Sequence, residues 1–282
     1  MLLICALIGC STKKSISPES IPKDRQVNLA QKGSLPSEPV LTTPEAIIHR
    51  AIDAHGGKNT IRQITKGHIQ STLNTLGRPT RFDLHFQLPD KLSQICQDNI
   101  EGRERRIRVL AVNEETWSIT NDENVSPINV PPKVLVKNIY PLSFLKDLLR
   151  LETTECTLLP PQKDDKKTMV GIQLQDEYGN NSFYFFDKKH GYLRVIETEY
   201  PVLRKSNNPL SLPAKRIDKK TFSDFKQIEK LVIPMQEVTS SNGKVSSRFL
   251  LEHFELLDTI PKDTFAIPSN ITFRKKDNND SK

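Results

Sequence analysis

The side chains that could act as bases, nucleophiles or metal ligands are few in this chain. They are six histidines, at 49, 55, 68, 85, 190 and 253, and four cysteines, at 5, 10, 96 and 156. A histidine near a carboxylate can move protons, and a cysteine can attack, ligate or pair. The spacing favours none of these. The histidines are scattered without ligand spacing and there is no Cys-x-x-Cys, so no metal and no cofactor is expected. Asp83 and His85 are i, i+2 neighbours that can touch on one strand face, but no placed serine or cysteine completes a triad with them. There is also no Gly-x-Ser-x-Gly elbow, no His-Glu-x-x-His, no phosphate loop and no Gly-x-Gly-x-x-Gly. The expectation is a protein with no catalytic residues, not an enzyme.

Any function must then rest on shape, and the shape is organised around Arg81–Lys91. Apolar and polar residues alternate there for eight positions before Pro89-Asp90 ends the run. A period of two puts Phe82, Leu84, Phe86 and Leu88 on one face of a strand and Arg81, Asp83, His85 and Gln87 on the other. One wet face and one apolar face mark an antiparallel sheet that covers something apolar on a single side.

The elements around that strand follow from their own signals. Thr43-Pro44 reads as N-cap and first residue of a helix carrying Ile48, Ala51, Ile52 and His55 at helical spacing, stopped by Gly56-Gly57. Period-two runs then predict strands near 68–76, 81–88, 92–98, 103–112 and 116–121, joined by short turns as in an antiparallel meander. Val130-Pro131-Pro132 interrupts it. Residues 140–151 read as a helix with one narrow polar stripe, Ser143, Lys146, Asp147 and Arg150, and leucines around most of the rest. Such a helix has to be buried over most of its surface, and the concave side of a curved sheet can receive it. Strands resume near 168–175, 181–187, 192–200, 217–225, 231–239 and 245–257, with Asn242-Gly243 a strong hairpin signal. Pro201–Pro213 reads as an exposed loop. The predicted fold class is α+β, mainly β: a strongly curved antiparallel sheet, a half-barrel, with an N-terminal helix and a mid-chain lid helix over its apolar concave face. The domain is expected to span 44–270, followed by a charged tail over 271–282.

Composition narrows the partners. The 282 residues carry 41 Lys+Arg against 34 Asp+Glu, a formal charge of +7. That modest excess suits an anionic membrane surface, and no basic block is interleaved with aromatics as a nucleic-acid groove requires, so nucleic acid is not expected as a partner. Near the start, Leu2–Gly9 is an apolar octet, far shorter than the roughly 20 residues that cross a bilayer. Residues 11–43 are rich in Ser, Pro, Lys and Gln with no sustained period, as in a solvated tether.

The octet ends in Leu7-Ile8-Gly9-Cys10, which resembles the lipobox of bacterial lipoproteins. The resemblance implies a signal-like segment over 1–10, diacylglycerol on Cys10 and a membrane-anchored, periplasm-facing protein. Ser11 after that cysteine implies the outer membrane rather than the inner. Of the remaining cysteines, Cys96 and Cys156 can pair in an oxidising compartment or stay as two thiols.

The order of elements resembles the lipoprotein carriers and receptors of the LolA/LolB-like fold. The likeness is carried by Ala46-Ile47-Ile48, by Ala51-Ile52-Asp53-Ala54-His55-Gly56-Gly57 and by Leu88-Pro89-Asp90-Lys91. Phe185-Phe186-Asp187, Gly191-Tyr192-Leu193, Leu231-Val232-Ile233-Pro234, Asn242-Gly243-Lys244 and Asp263-Thr264-Phe265 continue it. The resemblance implies an apolar cavity for a lipid, for lipoprotein acyl chains or for another hydrophobic ligand. Phe82, Leu84, Phe86, Trp117, Leu145 and Leu148 are its expected lining. The alternative is a protein-interaction or envelope-stress regulatory module of the same fold, with the cavity filled by its own side chains.

Overall fold

The computed structural model describes residues 42–121, 124–161, 166–202 and 214–266. Helix α1 (Pro44–Ala54) opens on Thr43, whose hydroxyl accepts from the Ala46 amide with Pro44 as first helical residue. It stops at His55, and Gly56 takes φ +111°, a backbone that side-chain-bearing residues rarely adopt. A one-turn α2 (Lys58–Arg62) leads into the sheet.

Six strands follow in a meander: β1 (Lys66–Thr75), β2 (Arg78–Gln87), β3 (Lys91–Ile100), β4 (Arg103–Val112), β5 (Glu115–Thr120) and β6 (Asn124–Pro127). Two helices interrupt, α3 (Pro132–Lys137) and α4 (Leu142–Leu151). The second meander runs through β7 (Thr157–Leu158), β8 (Met169–Gln175), β9 (Asn181–Asp187), β10 (Leu193–Val202), β11 (Ala214–Ile228), β12 (Leu231–Ser241) and β13 (Lys244–Leu256). A 3-10 turn, Lys262–Phe265, comes last. The Asn242-Gly243 hairpin expected from sequence is present, with both residues at positive φ as a primed turn needs. Helix α3 and the short strands β6 and β7 were not expected. They are brief enough that their periodicity does not stand out from the loops around them.

All thirteen strands form one sheet in the order β6-β5-β4-β3-β2-β1-β13-β12-β11-β10-β9-β8-β7. Each meander is sequential, and the two halves are joined where β1 pairs antiparallel with β13, from Gly67 opposite Leu256 to Thr75 opposite Ser247. The sheet is curved and does not close. The expected mainly-β, open curved-sheet architecture is therefore what the chain forms.

The core lies between the sheet's concave face and the helices. Ile47, Ile48, Ala51 and Ile52 of α1 and Leu142, Phe144, Leu145, Leu148 and Leu151 of α4 form one buried cluster with Leu84, Phe86, Leu92, Ala111, Leu231, Ile233 and Leu251 from the strands. Gly67 of β1 is required by this packing. A Cβ there would lie 2.6 Å from Phe86 Cζ and 2.7 Å from the Glu255 carbonyl oxygen.

The concave face and the lid helix as candidate functional site

Strand register sorts the side chains of the first meander by face, because directly paired residues share a side. Phe86 is opposite Leu92, which is opposite Ala111. Leu84 is opposite Gln94, and Phe82 is opposite Cys96. These rows are concave, and Phe82, Leu84 and Phe86 are buried there, as alternation along β2 predicts. Helix α4 shares one buried cluster with Leu84 and Phe86, its Leu145 and Leu148 fully buried. Of the six expected lining residues, Leu84, Phe86, Leu145 and Leu148 fall in that cluster, and Phe82 lies further along the same face opposite Cys96.

Trp117 does not join them. It pairs with Leu110, which pairs with Ser93, on the row that continues to His85. That row is the convex face. Leu110 and Ile119 are buried on this outer side, where the turn Lys262–Phe265 packs against β3 and β4 and Arg108 donates to the Thr264 carbonyl at 2.7 Å. Trp117 borders an open groove of about 240 Å³ along β5, together with Thr116, Pro127 and Val130. Sequence alone suggests the opposite face, since Trp117 and Ile119 are the large apolar residues of β5 and share one parity.

The interior under α4 is filled by side chains. Phe86, Leu145 and Leu148 each have 0% exposure, so there is no standing acyl-sized void between them. The polar stripe of α4 behaves as drawn from its spacing: Asp147 and Arg150 are part-exposed and 3.8 Å apart. Arg150 also reaches the Tyr184 hydroxyl at 3.4 Å. Glu152, just past the helix, pairs with Lys58 of α2 at 2.5 Å. Burial raises the Asp147 carboxyl against the pull of Arg150, Lys220 and Lys137, and burial lowers Lys146, with Lys137 adding to it. Tyr140 donates to the Pro234 carbonyl at 2.6 Å, and burial raises its phenol well above the usual value.

Beyond the helices the concave face turns polar. Lys220 stands 3.6 Å from Glu237, and Arg105 donates to Asp98 at 3.0 Å. Apolar binding area is therefore concentrated beneath the helices.

The imidazoles show no nucleophile chemistry. His55 is fully buried at the end of α1, donating from Nδ1 to the Val232 carbonyl and accepting from the Leu193 amide at 3.4 Å. His190 is 3.1 Å from Asp187, and His253 is 3.4 Å from Glu255. Asp83 and His85 approach to 3.9 Å, and His68 joins the same carboxylate at 3.1 Å. Sequence spacing missed that last grouping, because strand pairing and not chain separation creates it. Cys156 is a half-buried free thiol, so it is not joined to Cys96. Cys10 and the loop Pro201–Pro213 fall on or within residues outside those described, apart from the backbone of 201 and 202.

No family model matches the sequence and no curated protein matches it. Solved structures do. A LolA superfamily protein from Nitrosomonas europaea is 12% identical, with 80% of this chain and 98% of that one covered and a TM-score of 0.46. A DUF1329 family protein from Desulfovibrio piger is 9% identical over 80% and 98%, with a TM-score of 0.47. LprF from Mycobacterium bovis is 8% identical over 77% and 95%, with a TM-score of 0.34. At these identities and scores the likenesses carry no argument about ligand or activity. The strand order and the helices on the concave side stand on their own: an open, curved antiparallel sheet built from two meanders joined at β1 and β13.

Proposed function

We propose that this is a non-enzymatic binding protein of the bacterial cell envelope, anchored by lipid on Cys10 and carrying its domain, 44–270, on the tether 11–43. Its ligand is apolar, a lipid or the acyl chains of a lipoprotein, received between α4 and the concave rows of Phe82, Leu84 and Phe86. No helix among the described residues is long and apolar enough to cross a membrane, which fits attachment by a lipid. The observation that supports the reading best is α4 itself. It places five buried apolar side chains on a concave sheet, while its polar edge is tied by few ionic contacts.

Because the interior is filled, uptake has to move α4. Exposing its five buried side chains costs roughly 1.5–3 kcal/mol each, about 7–15 kcal/mol in all. An acyl chain of about 16 carbons returns roughly 0.8 kcal/mol per methylene, about 12 kcal/mol. One chain roughly balances the displacement. Two chains, or one chain against which the helix face repacks, drive it. This magnitude favours diacylated ligands over single fatty acids.

A second reading has its own observation. The complete burial of Phe86, Leu145 and Leu148 suits an interaction module that never opens and binds another envelope protein on its surface. Native mass spectrometry of the full chain, gently purified with Cys10→Ser so that its own lipid is absent, separates the two. A co-purifying lipid mass supports the first reading. A lipid-free chain with a stable protein partner supports the second.

A further inference from the structure

We propose that the convex face carries a binding site for a divalent first-row transition metal, formed by His68, Asp83 and His85 with His253 and Glu255 beside them. The three central strands β2, β1 and β13 place these residues in two adjoining rows. Glu255 is opposite His68, and His68 is opposite His85. His253 is opposite Gln70, and Gln70 is opposite Asp83. Ile69, between His68 and Gln70, points the other way and is buried in the core, so the whole group faces outward. Three of the six histidines thus meet at the seam between the two meanders.

The geometry suits ligation. One ligand atom each from His68, Asp83 and His85 lie within 4.8 Å of one another, and the same holds for His68, His253 and Glu255. His68 Nε2 is 3.1 Å from Asp83 Oδ1, and His85 Nδ1 is 3.9 Å from the same oxygen. Ligands about 2.0–2.2 Å from a tetrahedral ion sit about 3.4 Å apart, a spacing between these two distances. The His68 and His85 rings are stacked, with centroids 4.3 Å apart at 14°, and His253 lies 5.5 Å from His68, so one imidazole has to turn about its Cβ–Cγ bond for the in-plane lone pairs to meet at one ion. Gln70 Nε2 donates to the other Asp83 oxygen at 3.1 Å, which fixes the carboxylate's orientation. The side chains keep partial access to solvent, 18% at His68, 30% at His85 and 44% at Asp83. Imidazoles with a carboxylate favour zinc, copper or nickel over magnesium or calcium. A half-open site with three protein donors keeps positions for water or for a donor from another molecule, so the bound ion is exchangeable. This does not depend on the lipid reading, since it uses the opposite face of the sheet.

The test is calorimetric titration of the full chain, made without a histidine tag, with Zn²⁺ alone and with Mg²⁺ alone. One zinc equivalent is expected and no magnesium. His68→Gln and Asp83→Asn should each weaken zinc roughly tenfold or more, while His190→Gln on another hairpin leaves it unchanged. Circular dichroism confirms that each variant is folded. Co²⁺ provides a second readout, since nitrogen ligation gives visible d–d bands that His85→Gln should diminish. Absence of zinc heat at micromolar to millimolar concentrations overturns the site. So does zinc affinity that is the same in folded His68→Gln, or that is lost equally in His190→Gln.

Discussion

Lowering the pH from 7 to 4.5 should destabilise the domain, and His55 should carry a large share of the loss. Its ring is fully buried among Phe144, Tyr192 and Phe225. Both nitrogens are engaged by backbone, Nδ1–H with Val232 and Nε2 with the Leu193 amide, which fixes the neutral tautomer and fastens the end of α1 to β10 and β12. Burial lowers its pKa from 6.5 to about 4, with the Val232 hydrogen bond opposing part of the shift. Since the folded value lies below the unfolded one, the unfolded chain takes up the proton first. The stabilisation is therefore complete above pH 6.5 and is lost as the pH falls toward 4. The gap corresponds to about 3 kcal/mol, of which about 2.5 kcal/mol disappears between pH 7 and 4.5. Carboxylates titrate near the lower end of that range, so the informative quantity is a difference. Urea unfolding at both pH values is compared for the native chain and His55→Gln. The variant should be less stable at pH 7, yet lose about 2.5 kcal/mol less than the native chain on acidification. An equal pH dependence in both proteins would refute the reasoning.

Other consequences follow from the same packing. Leu145→Ala removes a fully buried side chain from beneath the lid and should cost about 2–5 kcal/mol in urea unfolding; a cost below about 1 kcal/mol would mean that α4 is not packed as described. Gly67→Ala forces a methyl against Phe86 and the Glu255 carbonyl, and should cost about 1–3 kcal/mol by the same assay, whereas a neutral change would disprove that close approach. Metabolic labelling with palmitate should mark the native chain and fail for Cys10→Ala, which should also leave the membrane fraction; persistent labelling would remove the anchor. Trp117→Ala, on the convex face, should leave lipid co-purification unchanged, and its loss would shift the ligand to the other side of the sheet.

Much of the fold is legible because it is written in local periods. The alternation in Arg81–Leu88 identifies both faces of β2 correctly, and the leucine pattern of 142–151 foretells a helix buried on most sides. Thr43-Pro44 and Gly56-Gly57 bracket α1 through cap chemistry that needs no tertiary partner. What stays hidden depends on register between distant segments. His68, His85 and His253 meet only because β1 pairs with β2 on one edge and with β13, more than 170 residues away, on the other. Trp117 could be assigned to a strand but not to a face, since Trp117 and Ile119 are outward apolar residues that look inward until the turn Lys262–Phe265 is seen covering that part of the sheet. The filled interior is likewise illegible, because a sequence shows which residues are apolar and not whether they meet.

Uptake of a pyrene-labelled diacyl phospholipid from vesicles by the delipidated full chain, followed together with hydrogen exchange over residues 142–151, bears most directly on the proposal that α4 is a movable lid. The account predicts about one lipid per chain and faster exchange of the α4 amides while the lipid enters. No transfer of the probe, with α4 amides exchanging only at the rate of global unfolding, would contradict it.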